Sequence, residues 1–307
     1  MPFPLFDLHC DTASVMEKKK QGFLQNDLCV SLKEAKGFSP YVQVMAIWTN
    51  KHLSDEEGWL AFHRIYKHLA DDPAIKDRSV TFGEPYCTDL SRPTLLLALE
   101  DARILCKRLD RLDEISHLGV KIFTPLWAGV NCLGGAHDTG VGLSPFGKQA
   151  IQKALALGMI PDISHASVKS AKEIILFAKE AKRPVIASHS NAYDVCAASR
   201  NLHKEELDEI IRLEGLVGLN LHRPFVKEET ANLSDLLGHI FYFLEAGAED
   251  ILALGGDLDG CDPIPEIKKL SDYEKLWEAL AKENLPEKLI KNIFFGNADR
   301  FAKAYFR

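Results

Sequence analysis

The sequence has no CxxC pair: its seven cysteines (10, 29, 87, 106, 132, 196 and 261) are odd in number and scattered. That excludes a disulfide framework and reads as reduced thiols. No apolar run approaches the roughly 18 residues that a membrane span needs. No long basic block occurs, and the formal net charge is -7 with a pI near 5.9. Neither nucleic acid nor an anionic membrane is therefore expected as a partner. Repeats at solenoid periods, low-complexity tracts and Pro/Gly/Ser linkers are also missing, so residues 1–307 read as one domain. The opening Met1-Pro2-Phe3-Pro4-Leu5 lacks the basic and apolar segments of a signal peptide, and the expectation is a cytoplasmic protein.

What is present is an ordinary globular balance, 46% hydrophobic and 26% charged, enough for a sizeable core. Short apolar runs recur at 5–11, 42–48, 94–100, 120–126, 159–165, 184–189, 216–221 and 251–257. Helical spacing fills the intervals, as at 55–69, 146–157, 168–181, 204–213, 233–246 and 272–283, with Ser54, Ser144 and Ser167 placed as caps. Eight near-continuous apolar strands alternating with helices predict a parallel sheet covered by helices, and the count fits a single (β/α)8 barrel. A doubly wound open sheet is the competing arrangement.

Five of these runs end in ionisable residues: His9 and Asp11, Glu100, His165, His189, and Asp257. A barrel gathers all its strand C-termini on one face, so these residues would converge. Strand alternation turns His9 and Asp11 to one side and Cys10 to the other. An imidazole beside a carboxylate suits zinc, manganese or ferrous iron better than calcium or magnesium. Glu100, closing the run Leu95-Leu96-Leu97-Ala98-Leu99, would be costly to bury without a partner. Arg103 could supply that partner; with two metal ions present, a bridging carboxylate is the alternative. Taken singly, His165 and His189 would each be core histidines satisfied by a hydrogen bond. Their equivalent places on consecutive strands favour a shared ion. Asp257, in Gly255-Gly256-Asp257-Leu258-Asp259-Gly260, is a candidate general acid and base, an anchor for a substrate ammonium group, or a support for a metal histidine. The histidines at 52, 63, 68, 117, 203 and 239 read as surface residues.

In order along nearly the whole chain stand H-x-D, A-L-E, G-L-S-P-F-G, D-I-S-H, S-H-S-N-A-Y, S-R-N and G-G-D-L-D-G. This ordered set resembles the membrane dipeptidase (renal dipeptidase) family of metallopeptidases. The resemblance implies a (β/α)8 barrel with two zinc ions, one on His9, Asp11 and Glu100, the other on Glu100, His165 and His189, with Glu100 bridging. It implies that Arg200 grips the carboxylate of a dipeptide, whose C-terminal residue can be D. It also implies that Asp257 handles the amino group and the leaving nitrogen while a metal-bridging hydroxide attacks the carbonyl. A homodimer is implied as well. Where studied members carry a substrate-contacting histidine, this chain has Trp127, with Asn131 or His137 nearby as candidates to take its place.

Two rival readings remain. One is an amidohydrolase-like barrel acting on another amide, a lactone or an ester; the H-x-D on the first strand and the glutamate on the third argue against its usual layout. The other is a barrel that binds metal without catalysis.

Overall fold

The computed structural model describes residues 3–86, 89–105 and 107–306. Cys87 and Cys106 lie outside the described residues, while Cys10, Cys29, Cys132, Cys196 and Cys261 are free thiols. Among the described residues no helix is long and apolar enough to cross a membrane.

The eight apolar runs form parallel strands, and a short ninth, the third in chain order, is added outside them: β1 (Phe3–Cys10), β2 (Phe38–Trp48), β3 (Thr81–Phe82), β4 (Thr94–Glu100), β5 (Val120–Thr124), β6 (Ile160–Pro161), β7 (Ile186–Ala187), β8 (Leu216–Leu219) and β9 (Leu252–Leu254). Their order is β6-β5-β4-β2-β1-β9-β8-β7, with β3 flanking β4 off this path. The two ends meet where Asp162 bridges Ile186 and the Ile163 N–H donates to the Ile186 carbonyl at 2.8 Å. The sheet therefore closes into an eight-stranded (β/α)8 barrel, not a doubly wound open sheet. Helices open on the expected serines: Ser54, Ser144 and Ser167 each accept a backbone N–H of the first turn.

Strand alternation sorts the side chains into two cores. Inward residues such as Phe6, Leu8, Val42, Val44, Leu96, Ala98, Ile122, Ile186 and Ala253 fill the barrel, and the C-terminal helix Asn297–Tyr305 adds Ala298, Phe301 and Ala302 to that cluster. Outward residues such as Leu95, Leu97 and Leu99 pack under the surrounding helices. Above the apolar interior the inward positions turn polar. Asp162 accepts the Thr124 hydroxyl at 2.8 Å and the Ser188 hydroxyl at 2.5 Å. Gly218 and Gly255 keep this level narrow, since a Cβ at either would collide with the Ser188 carbonyl. The next inward position on β4 is Glu100.

Candidate metal centre and active site

Each site residue reaches the barrel mouth by a local device. On β1 a register shift between Asp7 and Cys10 inserts one extra residue. The Asp7 carboxylate holds that bulge by accepting the His9 N–H at 2.9 Å, and it also accepts from the Gly256 N–H and the Tyr273 hydroxyl. Leu8 stays in the interior while His9 reaches the mouth, and Cys10 turns outward against Met45. Glu100 arrives by simple alternation.

His165, His189 and Asp257 lie just past the ends of β6, β7 and β9, in turns and not on the strands themselves. Asp162 replaces ladder bonds there, taking the Ser164 and Ser188 N–H groups at 2.9 and 3.0 Å. His165 and Asp257 adopt left-handed backbone angles, φ 69° and 58°. Such conformations in non-glycine residues cluster at functional sites.

The two oxygens of Glu100 face different groups. Oε2 lies 3.6 Å from His9 Nε2, whereas Oε1 lies 2.9 Å from His165 Nε2 and 3.5 Å from His189 Nε2. His9 Nε2 is also 3.7 Å from Asp11 Oδ2 and 3.9 Å from Asp257 Oδ1. Ligand atoms on a tetrahedral ion with bonds near 2.1 Å stand about 3.4 Å apart, so this is the spacing of atoms around a cation. Among the described residues three such groups occur: His9, Asp11 and Glu100; Glu100, His165 and His189; and His9, His189 and Asp257.

Proton accounting supports a cation. His165 Nδ1 faces the Trp127 carbonyl at 3.0 Å, which only accepts, so the proton sits on Nδ1 and Nε2 offers a lone pair. His189 Nδ1 faces the Ser188 hydroxyl at 2.7 Å, and that hydroxyl donates to Asp162. Its Nε2 is then a lone pair too, 2.9 Å from that of His165. Two lone pairs and a carboxylate oxygen facing one another need a positive charge between them. His9 Nε2 is buried and has no hydrogen-bond partner at all.

The electrostatics agree. Burial pulls His9 down, but Glu100 and Asp11 draw its proton affinity well above the ordinary histidine value. Burial opposes ionising Glu100, yet His9, His165 and His189 hold it well below the carboxylate range. Burial and Arg200 lower His165 to about 4, and burial with His9 lowers His189. Burial raises Asp257, and the neighbouring Asp11 and Glu100 carboxylates add to the effect. His165 and His189 are thus held neutral with lone pairs free, while the raised affinity of His9 reports the negative field of Glu100 and Asp11, a field that a divalent cation would answer in place of a proton.

Around this cluster lies a cavity of about 500 Å³, lined by Asp11, Glu100, Trp127, His165, Arg200 and Asp257 among others. Arg200 is buried, donates to the Ser190 hydroxyl at 3.2 Å and to the His189 carbonyl at 3.1 Å, and its guanidinium lies 5.4 Å from the Phe225 ring centroid. Asp257, Glu100 and Asp162 act on its charge from a distance, but among the described residues it makes no ion pair within 4 Å, so a buried cation stands on the cavity wall.

Two expectations are corrected, and one alternative falls away. Asn131 does not line the cavity: its amide donates to Asp101 and the Pro125 carbonyl, and its oxygen accepts the Leu133 and Gly134 N–H groups. Arg103 does not neutralise Glu100; it pairs with Asp101 at 2.5 Å. His239 is not at the surface. It is fully buried, with Nδ1 accepting the Ala192 N–H and Nε2 on the Val226 carbonyl. Trp48 and His222 also line the cavity and were missed. Trp48 was detectable, since it closes the second apolar run as Glu100 closes the third; nothing marked His222.

A match to the membrane dipeptidase family, peptidase family M19, spans residues 2–305. A Klebsiella pneumoniae protein described as an uncharacterized protein in the pqqA 5' region is 30% identical over 198 residues, 60% of this chain and 72% of its own length. A metallo peptidase from Rhodobacter sphaeroides, solved with a phosphinate mimic of the dipeptide L-Ala-D-Ala, superposes with a TM-score of 0.91 at 19% identity over 99% of this chain and 100% of that one. Another metallo peptidase, dipeptidase AC, gives 0.91 at 20% identity over 100% and 99% of the two chains. With the family match running over nearly its whole length, the chain belongs to the membrane dipeptidase family.

Proposed function

We propose that this protein is a binuclear zinc dipeptidase that cleaves L-Xaa-L-Xaa dipeptides and those with a D-residue at the C-terminal position. The observation carrying this reading is the division of Glu100, one oxygen toward His9 and the other toward His165 and His189. His9 and Asp11 would hold one ion, His165 and His189 the other, with Glu100 shared. Two divalent ions bound there would supply an activated water and polarise the scissile carbonyl.

The chain's own groups do the rest. Arg200, a planar fork lacking a counter-ion, takes the C-terminal carboxylate in bidentate fashion. That fixes the length of substrate between the guanidinium and the metal ligands and favours dipeptides over longer peptides. Asp257 Oδ2 accepts from the Asn220 amide at 3.2 Å, leaving Oδ1 on the metal-ligand side. With its proton affinity raised, Asp257 receives a proton from the attacking water and delivers it to the leaving nitrogen. The Rhodobacter sphaeroides relative, solved with a dipeptide mimic, supports the substrate class.

The test pairs metal analysis of the purified chain with hydrolysis of L-Ala-D-Ala and L-Ala-L-Ala. Two zinc ions per chain and cleavage abolished by a chelator are expected. Undiminished cleavage after metal stripping, or metal-replete protein inert toward every dipeptide, would overturn the reading.

A further inference from the structure

The two ends of the catalytic cavity differ in chemistry. In the order β1, β2, β4, β5, β6, β7, β8, β9 around the closed barrel, β2 stands diametrically opposite β7. Arg200 follows β7, and His222 and Phe225 follow β8; all three line the cavity. Across the metal ligands, β2 ends in Trp48, which continues the inward series Val42, Val44, Ala46 and lies in register with Glu100. Trp127, just past β5, packs on Trp48 with ring centroids 5.1 Å apart. Val15 and Lys18, on the helix Thr12–Lys19, complete this wall. Two ammonium groups stand at the rim, that of the exposed Lys18 and that of Lys51, whose Nζ is 5.6 Å from the Trp127 ring, while the Asp259 carboxylate in the same lining is taken up by the Thr12 hydroxyl and the Cys29 N–H. The Trp48 indole N–H is buried without a hydrogen-bond partner.

A dipeptide whose carboxylate is held by Arg200 and whose carbonyl lies at the metal ligands must send its N-terminal residue away from Arg200. Its amino group then falls toward Asp257, on the loop after β9, and its side chain toward β2. We infer that Trp48, with Trp127 and Val15, forms the subsite for the N-terminal side chain and selects large apolar residues, leucine and phenylalanine above alanine, while Lys18 and Lys51 disfavour lysine. Two indoles offer a broad, rigid apolar face with few rotamers to immobilise, which rewards a large side chain over a methyl. The inference rests on the dipeptidase reading of the same site.

The test is a kcat/KM series on metal-replete enzyme, with L-Xaa-D-Ala (Xaa = Ala, Leu, Phe or Lys) set against L-Ala-D-Xaa. Leucine and phenylalanine at the N-terminal position should exceed alanine by roughly 10-fold or more, the discrimination available from a few extra carbons in an apolar pocket. Lysine should fall below leucine and phenylalanine by a similar factor. Trp48→Ala should bring the Phe/Ala ratio to within about 3-fold, acting through KM, and Trp48→Phe should restore most of it. Lys18→Glu changes an exposed helix position that does not endanger folding, and it should raise the Lys/Ala ratio several-fold. A flat N-terminal series in the wild type, or ratios unmoved in both Trp48→Ala and Lys18→Glu, would overturn the assignment while leaving dipeptide cleavage intact. If no dipeptide is cleaved with metal bound, the underlying reading fails and this inference with it.

Discussion

Asp162 and His189 are joined through a single hydroxyl, for Ser188 Oγ lies 2.5 Å from Asp162 Oδ2 and 2.7 Å from His189 Nδ1. Asp162 accepts from two hydroxyls and two backbone N–H groups. With donors on both of its oxygens the carboxylate acts as acceptor, so Ser188 donates to it and accepts the proton of His189 Nδ1. The lone pair of Nε2 is thereby turned toward Glu100 from two residues away. This is how supporting groups tune metal histidines.

Asp162→Asn tests that relation with little change of shape. The amide oxygen keeps the two backbone bonds, but the amide nitrogen replaces Oδ2 and donates to Ser188. Ser188 then donates to His189 Nδ1, which drives the imidazole proton to Nε2, where a cation would bind. The expected outcome is a metal affinity 10–100-fold weaker at one of two sites. Metal titration should show one tight ion in place of two, and nitrogen NMR of the metal-free variant should show His189 in the other tautomer.

Glu100→Ala removes the carboxylate whose two oxygens face His9 on one side and His165 with His189 on the other. Both ions should be lost together, with an affinity fall greater than the roughly 100-fold ceiling for a supporting residue. Metal analysis after dialysis checks this, with circular dichroism confirming that the barrel is folded. Retention of two tightly held ions would refute the shared role of Glu100.

How far the sequence discloses this site depends on how each residue reaches the mouth. Glu100 and Trp48 arrive by plain strand alternation, so the end of an apolar run marks their positions. His9 arrives through a bulge held by Asp7, and alternation alone puts Asp7 and His9 on one face, which the structure does not. His165 and Asp257 stand in left-handed turns beyond their strands, and their apolar runs show the neighbourhood but not the backbone angle. The barrel itself was legible because its strands are buried on both faces. What pattern could not reveal was which polar groups satisfy one another. Asn131 is spent on Asp101 and on its own loop, Arg103 turns to Asp101, and His239 is buried between two backbone groups. Hydrogen-bond pairing across 30 or more positions, as between Asn131 and Asp101, leaves no periodic signal.

Gly260 offers a different kind of test. A methyl group on its Cα would fall on Asp11 Oδ2 and within 2.7 Å of Asp257 Oδ1. The Asp11 carboxylate is a side-chain end and can yield, so the fold should survive Gly260→Ala. The movement, however, displaces a proposed metal ligand and the proposed proton carrier together. Misplacement by about 1 Å costs on the order of 100-fold in rate. Expected are a Tm close to that of the wild type and a kcat/KM for L-Ala-D-Ala lower by about that factor. An unchanged rate would mean that neither carboxylate needs its present position.

Glu206 gives a stability signature remote from the proposed metal ligands. It sits in the first turn of the helix Lys204–Arg212, accepts the His203 N–H at 3.0 Å, and is pushed up to about 7 by burial. An unfolded glutamate titrates near 4.3, so the native state binds a proton across that interval that the unfolded state releases. Stability should be greatest below about pH 4 with respect to this group, fall as pH rises toward 7, and level off above, opposite to the behaviour of a salt-bridged carboxylate. Glu206→Gln keeps an oxygen for the His203 N–H and removes the charge. At pH 8 the variant should be more stable than the wild type by up to about 3 kcal/mol. The difference should vanish near pH 4. Urea unfolding of metal-free protein at several pH values measures it, and a variant no more stable than the wild type at pH 8 would show that Glu206 ionises freely in the folded chain.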